Sequence, residues 1–97
     1  MIIQSNLDGN GRETMCMCVK CSLNSSDICT GTQIVLVNDH KRNNYLIYES
    51  VRPMGYKELE KGKDEVLVLS EFEKWLELHG YKEDERACKE AREHQQN

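Results

Sequence analysis

The chain has 97 residues, of which 38% are hydrophobic and 31% charged, and this predicts one small folded domain over residues 1–97. Its apolar runs, such as 34–37 and 66–69, are far shorter than the ~18–20 residues that cross a bilayer, and its first residues lack the pattern of a secretory signal. We therefore expect a cytoplasmic protein without a membrane segment.

The charge is distributed unevenly along the chain. Residues 1–57 carry six basic and five acidic side chains, whereas residues 58–97 carry seven basic and twelve acidic ones, giving net charges of +1 and −5. Neither part has the strong positive field of a general nucleic-acid binder, and the acidic part repels phosphates.

The N-terminal segment predicts a β-hairpin. Ile2 and Ile3 begin an extended stretch, the turn at 8–11 contains two dipeptides favoured in tight hairpins, and a second strand follows from Thr14 to about Val19. The turn also matches part of a calcium-binding loop, but a methionine replaces the carboxylate required at the last position. We interpret it as a turn only.

A second hairpin is the clearest strand signal in the chain. The β-branched and aromatic runs Gln33–Val37 and Tyr45–Val51 flank a polar tip at 38–44. After it, we expect residues 52–64 to be irregular, with one helical turn at 56–61, and residues 66–69 to form a short buried strand.

The C-terminal third, residues 70–97, predicts helices. Ser70 is expected to cap a helix that ends at Gly80, a left-handed residue, and the apolar face of that helix packs on the sheet. The face consists of Phe72, Trp75, Leu76 and His79. From Lys82 onward the sequence favours a polar helix with little to bury. The predicted fold is α+β, mainly β over 1–69: a small antiparallel sheet of four to five strands packed by one amphipathic helix, plus a polar C-terminal helix.

Four of the five cysteines are clustered in sequence. Cys16, Cys18, Cys21 and Cys29 have the spacing Cys-x-Cys-x-x-Cys-x7-Cys, whose central two-residue gap is that of a zinc knuckle. Clustered cysteines in a reducing compartment more often bind metal than form disulfides. We predict a structural zinc site with these four ligands, with His40 as an alternative ligand.

The pleat of a strand offers a different interpretation of the same cysteines. In a continuous strand over 15–21, the methionines and Cys21 face one side while Cys16 and Cys18 face the other, and the thiols are then purely structural. A zinc site that includes both Cys18 and Cys21 requires the strand to end near Val19.

A thiol redox protein is a third interpretation. Cys18 and Cys21 have dithiol spacing, and Lys20 lowers a thiolate pKa, but the following segment is loop-like rather than the helix that stabilises such thiolates. The fifth cysteine, Cys88, lies far along the chain, and we expect it to be a buried small residue or a spare thiol.

The second hairpin tip suggests an alternative function, that of a zinc-supported nucleic-acid-binding module. Lys41 and Arg42 place two cations beside Tyr45, and Lys20 adds a third, a combination that pairs with phosphates and stacks on bases. Because so few cations are concentrated there, a solvated polar tip is the more common explanation.

The sequence contains no catalytic motif, so we expect a non-enzymatic protein. The leading hypothesis is an adaptor or inhibitor that binds a protein partner through its acidic C-terminal segment. Composition resembles that of small phage or mobile-element proteins that block host machinery, which is an analogy only. The predicted partner-binding residues are Glu83, Asp84, Glu85 and Glu90.

Overall fold

A computed structural model describes residues 4–20, 31–51 and 54–84, as five strands and one helix. The strands form a single antiparallel sheet in which each strand lies beside the one before it. This confirms the α+β class and the antiparallel sheet, while the predicted C-terminal helix lies outside the described residues. The elements are β1 Gln4–Leu7, β2 Arg12–Lys20, β3 Thr32–Asp39, β4 Asn44–Val51, β5 Tyr56–Lys63 and α1 Leu69–Leu78.

Both predicted hairpins are present, and an aspartate side chain organises each turn. In the β1–β2 turn the Asp8 carboxylate accepts hydrogen bonds from the backbone N–H groups of Asn10 and Arg12, at 2.8 and 3.0 Å. The bond from Arg12, and then that from Asn10, lowers the pKa of the Asp8 carboxyl. In the β3–β4 turn the Asp39 carboxylate accepts hydrogen bonds from the backbone N–H groups of Lys41 and Arg42, both at 3.1 Å.

The expectation of an irregular segment with a helical turn at 56–61 is wrong, because these residues belong to β5. This strand pairs with β4 from end to end. Its alternating lysines and glutamates suit the edge of a sheet, where charged side chains reach water and discourage pairing with other strands. A bulge at Leu59 shifts the register, so that Glu58 and Lys61 share a face and form an ion pair of 3.3 Å.

The strand expected at 66–69 is also wrong. Residues 65–68 form no strand, yet Leu67 is buried in the core. Its backbone N–H donates to Asn38 Oδ1 at 3.0 Å, and its carbonyl accepts from Asn38 Nδ2 at 2.6 Å. The backbone of the buried Leu67 is therefore paired by a side-chain amide on β3 rather than by a neighbouring strand.

The core lies between α1 and one face of the sheet. Alternation along β2 places Met15 and Met17 on this face and Cys16 and Cys18 on the other, as the pleat predicts. Phe72, Trp75 and Leu76 of α1 are buried as expected, whereas His79 is exposed. The buried cluster consists of Met15, Met17, Ile34, Leu36, Tyr45, Ile47, Leu67, Phe72, Trp75 and Leu76.

The two ends of α1 differ in how well the sequence predicts them. The helix starts earlier than expected, with Val68 rather than Ser70 as the N-cap, and the Glu71 carboxylate accepts from the Val68 N–H at 3.1 Å. The C-terminus is confirmed: Gly80 is left-handed, and the Tyr81 N–H donates to the Leu76 carbonyl at 2.9 Å, as in a Schellman motif. No helix among the described residues is long and apolar enough to cross a membrane.

Replacing Asn38 with alanine tests the link between β3 and Leu67. The change removes three hydrogen bonds, to Leu67 and to Glu13, and leaves both polar groups of the Leu67 backbone without their partner. Since each buried unpaired group costs about 1–3 kcal/mol, we expect the free energy of unfolding in urea to fall by about 3 kcal/mol. Asn6→Ala, at an exposed position of β1, is the control and should change it by less than about 0.5 kcal/mol. Equal effects of the two substitutions would contradict this role of Asn38.

Gly62 of β5 leaves room for the ring of Tyr45 on β4. The two residues are register partners, and a Cβ added at Gly62 overlaps that ring. We expect Gly62→Ala to destabilise the fold by about 2 kcal/mol in thermal unfolding. The added methyl group overlaps the Tyr45 ring, and the paired strands β4 and β5 cannot move apart to accommodate it without strain. Gly9→Ala is the matched control, since a Cβ there meets no atom within 4 Å. Similar melting temperatures for the two variants would show that the ring moves freely.

Candidate functional site

Cys16 and Cys18 lie on the sheet face opposite α1. Cys16 is half-buried and Cys18 is buried, with 8% of its surface exposed. The register places Cys16 beside Val35 of β3, and Val35 in turn beside Tyr48 of β4. The two thiols therefore share one face with an apolar row of the sheet.

The strand carrying these cysteines runs one residue beyond the point at which a zinc knuckle requires it to end. β2 extends to Lys20, with Val19 as an extra residue in a bulge, and Cys21 and Cys29 lie outside the described residues. Within the described ranges, the structure contains no group of three His, Cys, Asp or Glu residues able to hold a metal ion. Zinc binding by the four cysteines stays a prediction.

His40 is not placed to complete such a site. It follows Asp39, which pairs with Arg12 at the start of β2, whereas Cys18 is six residues further along that strand. At about 3.4 Å per residue, His40 and Cys18 are separated by about 20 Å. Its Nε2 lies instead 3.2 Å from Glu13 Oε1, in a polar group with Asn38 that sequence reasoning did not find. The register thus excludes His40 as an alternative ligand together with Cys18.

The four residues of the nucleic-acid hypothesis do not form one surface. Lys41 and Arg42 are exposed at the β3–β4 turn, with Arg42 Nε 3.9 Å from the Asp39 carboxylate. Lys20 lies at the opposite end of the sheet, and the Tyr45 ring is buried in the core and not exposed for stacking on a base. Of the four residues, only Lys41 and Arg42 lie together on an exposed surface.

A cleft of about 290 Å³ lies on strands β4 and β5. It offers two ammonium groups and the Tyr45 ring, but no carboxylate, histidine or cysteine among its lining residues. They are Asn44, Tyr45, Leu46, Lys61, Gly62 and Lys63.

The acidic segment after α1 returns to the sheet. The Asp84 N–H donates to the Cys18 carbonyl at 3.0 Å, and Tyr81 stacks on Trp75 with ring centroids 5.8 Å apart. Both Glu83 and Asp84 are half-buried. Glu85 and Glu90, the other two predicted partner-binding residues, lie outside the described residues.

Exposed apolar residues that the sequence analysis did not single out flank the β4–β5 connection. Met54 and Tyr56 are 84% and 67% exposed, and we call them the hairpin patch. Val51 is 41% exposed, but Tyr56 pairs with Ser50, so the pleat turns Val51 toward the other face of the sheet. The Tyr56 ring packs edge-to-face on Tyr48 at 5.3 Å, which fixes its orientation. The sequence signal for these residues was three large apolar residues around a Pro and a Gly in a polar chain.

Comparisons with protein families, curated proteins and solved structures find no match to this chain.

The burial of Tyr45 leads to a titration test. Desolvation, and then its hydrogen bond of 2.7 Å to Glu60, raises the pKa of Tyr45 to about 12. The neutral phenol is favoured in the folded state, so its contribution to stability is complete below pH 10 and is lost as the pH rises through about 12. We expect Tyr45→Phe to remove an ultraviolet absorbance step near pH 12. Tyr56→Phe, at an exposed ring, should leave it, and a step that persists in Tyr45→Phe would contradict the assignment.

Proposed function

We propose that this chain is a small non-enzymatic binding protein, an adaptor or inhibitor, that acts in the cytoplasm by contacting a protein partner. The observation that carries the proposal is the hairpin patch. Large apolar side chains that are exposed together mark interaction surfaces, whereas single ones are normal on any protein. Tyrosine and methionine are also enriched at the centres of protein interfaces.

The location of the patch supports the proposal. The β4–β5 connection lies at the same end of the sheet as Lys20 and the end of β2, near which Asp84 contacts Cys18. An apolar centre and an acidic segment are thus available at one end of the molecule. A partner with an apolar groove bordered by basic residues fits this combination.

The patch is also partly rigid, which favours binding. Tyr56 is held against Tyr48, and the Val51 N–H donates to the Gly55 carbonyl at 3.0 Å across the connection. A rigid aromatic residue loses little conformational entropy on association. Tyr56 is therefore expected to serve as an anchor residue.

Glutamate substitutions in the patch test this function. We expect Met54→Glu and Tyr56→Glu each to weaken partner binding by at least about 30-fold, the size of a typical hot-spot loss. Leu7→Glu is the matched control, because Leu7 is 65% exposed on β1, at the other edge of the sheet and beside the β1–β2 turn. Partners are captured on the immobilised chain, identified by mass spectrometry, and titrated against each folded variant. Unchanged affinity in both patch variants would overturn the proposal.

The exposed cations Lys41 and Arg42 favour a second candidate function, single-stranded nucleic-acid binding. A labelled oligonucleotide distinguishes the two functions. Binding that weakens steeply with salt and is lost in Lys41→Glu would favour nucleic acid, whereas partner capture that depends on Met54 favours the protein-binding function.

A further inference from the structure

The cleft on β4 and β5 is lined by two lysines that the sequence analysis did not single out. Lys61 and Lys63 are exposed on β5, and they border the cleft together with Asn44 and Leu46 of β4. The register pairs Lys63 with Asn44 and Lys61 with Leu46. Since Tyr45, between the two β4 residues, belongs to the core, the four other side chains share the sheet face opposite α1.

The spacing of these side chains lets them contact one small ligand together. Alternate residues of a strand are about 7 Å apart, and directly paired side chains have Cβ atoms about 5 Å apart. Two ammonium groups and the Asn44 amide therefore border the same part of the cleft. Leu46 is half-buried beside them and pairs with Val37 of β3, so the sheet offers an apolar floor next to the donors.

The charge of the two lysines is only partly neutralised. Lys61 Nζ lies 3.3 Å from Glu58 Oε1. Between residues that the structure describes, the ion pairs within 4 Å involve His40, Arg42 or Lys61. Lys63 therefore has no carboxylate partner among them, and its ammonium group is available to a ligand.

The neighbouring part of this face is also cationic. Arg12 lies in the same cross-strand row as Asn44 and Lys63, with Asp39 between Arg12 and Asn44. The Asp39 carboxylate accepts from two N–H groups of the β3–β4 turn. The rows that end at Lys61 and Lys63 thus hold three cations and one engaged carboxylate, although the chain has a net charge of −4. Charge complementarity therefore favours an anionic ligand here.

A phosphate group matches these donors better than a carboxylate does. A phosphate monoester carries a charge of about −1.5 to −2 and three strong acceptor oxygens, so it can accept from two ammonium groups and an amide at once. A carboxylate has a single charge and two oxygens. The floor at Leu46 suits an apolar ring or sugar attached to the phosphate.

We propose that the β4–β5 cleft binds the phosphate group of a nucleotide, with Lys61, Lys63 and Asn44 as donors and Leu46 as the floor. A free nucleotide and a single-stranded nucleic acid both supply this chemistry. The site does not depend on the hairpin patch. It gives the second candidate function a surface that is distinct from the residues predicted from the sequence.

Titrations of the full chain, followed by two-dimensional NMR of the amide signals, test this site. The probes are adenosine monophosphate, adenosine and a single-stranded oligothymidylate. We expect adenosine monophosphate to shift the backbone N–H signals of Leu46 and Gly62, whereas adenosine, which lacks the phosphate, leaves them in place. Tighter binding of the oligonucleotide than of the monophosphate assigns the phosphate to a nucleic-acid strand, and weaker binding assigns it to a free nucleotide. Equal shifts with adenosine and its monophosphate, or no shift with any probe, would overturn the proposal.

A matched pair of charge reversals tests the role of the lysine. We expect Lys63→Glu to weaken binding of adenosine monophosphate by at least about tenfold, because repulsion of the phosphate replaces attraction. Lys57→Glu makes the same change on the same strand, but Lys57 pairs with Glu49, on the face toward α1, and the effect should stay below about twofold. Equal affinities of these two variants would contradict the assignment. The shift map of the unaltered chain holds even where a variant fails to fold.

One further variant separates this site from the hairpin patch. Met54→Glu should leave the binding of adenosine monophosphate unchanged, because Met54 lies at the β4–β5 connection, whereas Lys63 and Asn44 pair at the opposite ends of these strands. Loss of nucleotide binding in Met54→Glu would overturn the assignment of the ligand to the cleft. Failure of the cleft to bind any phosphate would leave the partner-binding proposal unaffected.

Discussion

The amide of Asn38 joins the sheet to the helical part of this fold. The side chain is fully buried and pairs with both the N–H and the carbonyl of Leu67, as the backbone of a neighbouring strand would. Its Nδ2 also lies 3.1 Å from the Glu13 carboxylate on β2. A buried polar group is tolerable only when its bonds are made, so this network fixes one geometry for the segment between β5 and α1. The position of α1 over the core follows from it.

Features that depend on neighbours in sequence were predictable. The two hairpins follow from period-two patterning and turn dipeptides, and the end of α1 follows from Gly80 with the Leu76 contact behind it. The sequence analysis missed β5 because a segment rich in lysine and glutamate favours a helix. The same charged residues suit a strand only at the edge of a sheet, and the sequence does not show that position. Leu67 was misassigned because its partner is 29 residues away in the chain.

The candidate site also has one part that local sequence predicts and one part that it does not. The alternation that places Cys16 and Cys18 opposite Met15 and Met17 is a local property, and the structure follows it. Whether distant residues reach these thiols depends on topology: a hairpin carries His40 to the far end of β2, while the chain beyond α1 brings Asp84 back to Cys18. No spacing rule contains that information.

The edge strands limit how this protein can bind a partner. β5 carries Lys57, Lys61 and Lys63 and a bulge at Leu59, and each of these features opposes the addition of another strand. At the other edge, the described part of β1 is the four residues Gln4–Leu7. Partner binding by strand addition is therefore disfavoured at the β5 edge. Side-chain contacts at the end of the sheet do not need a free edge, and the exposed Met54 and Tyr56 lie there.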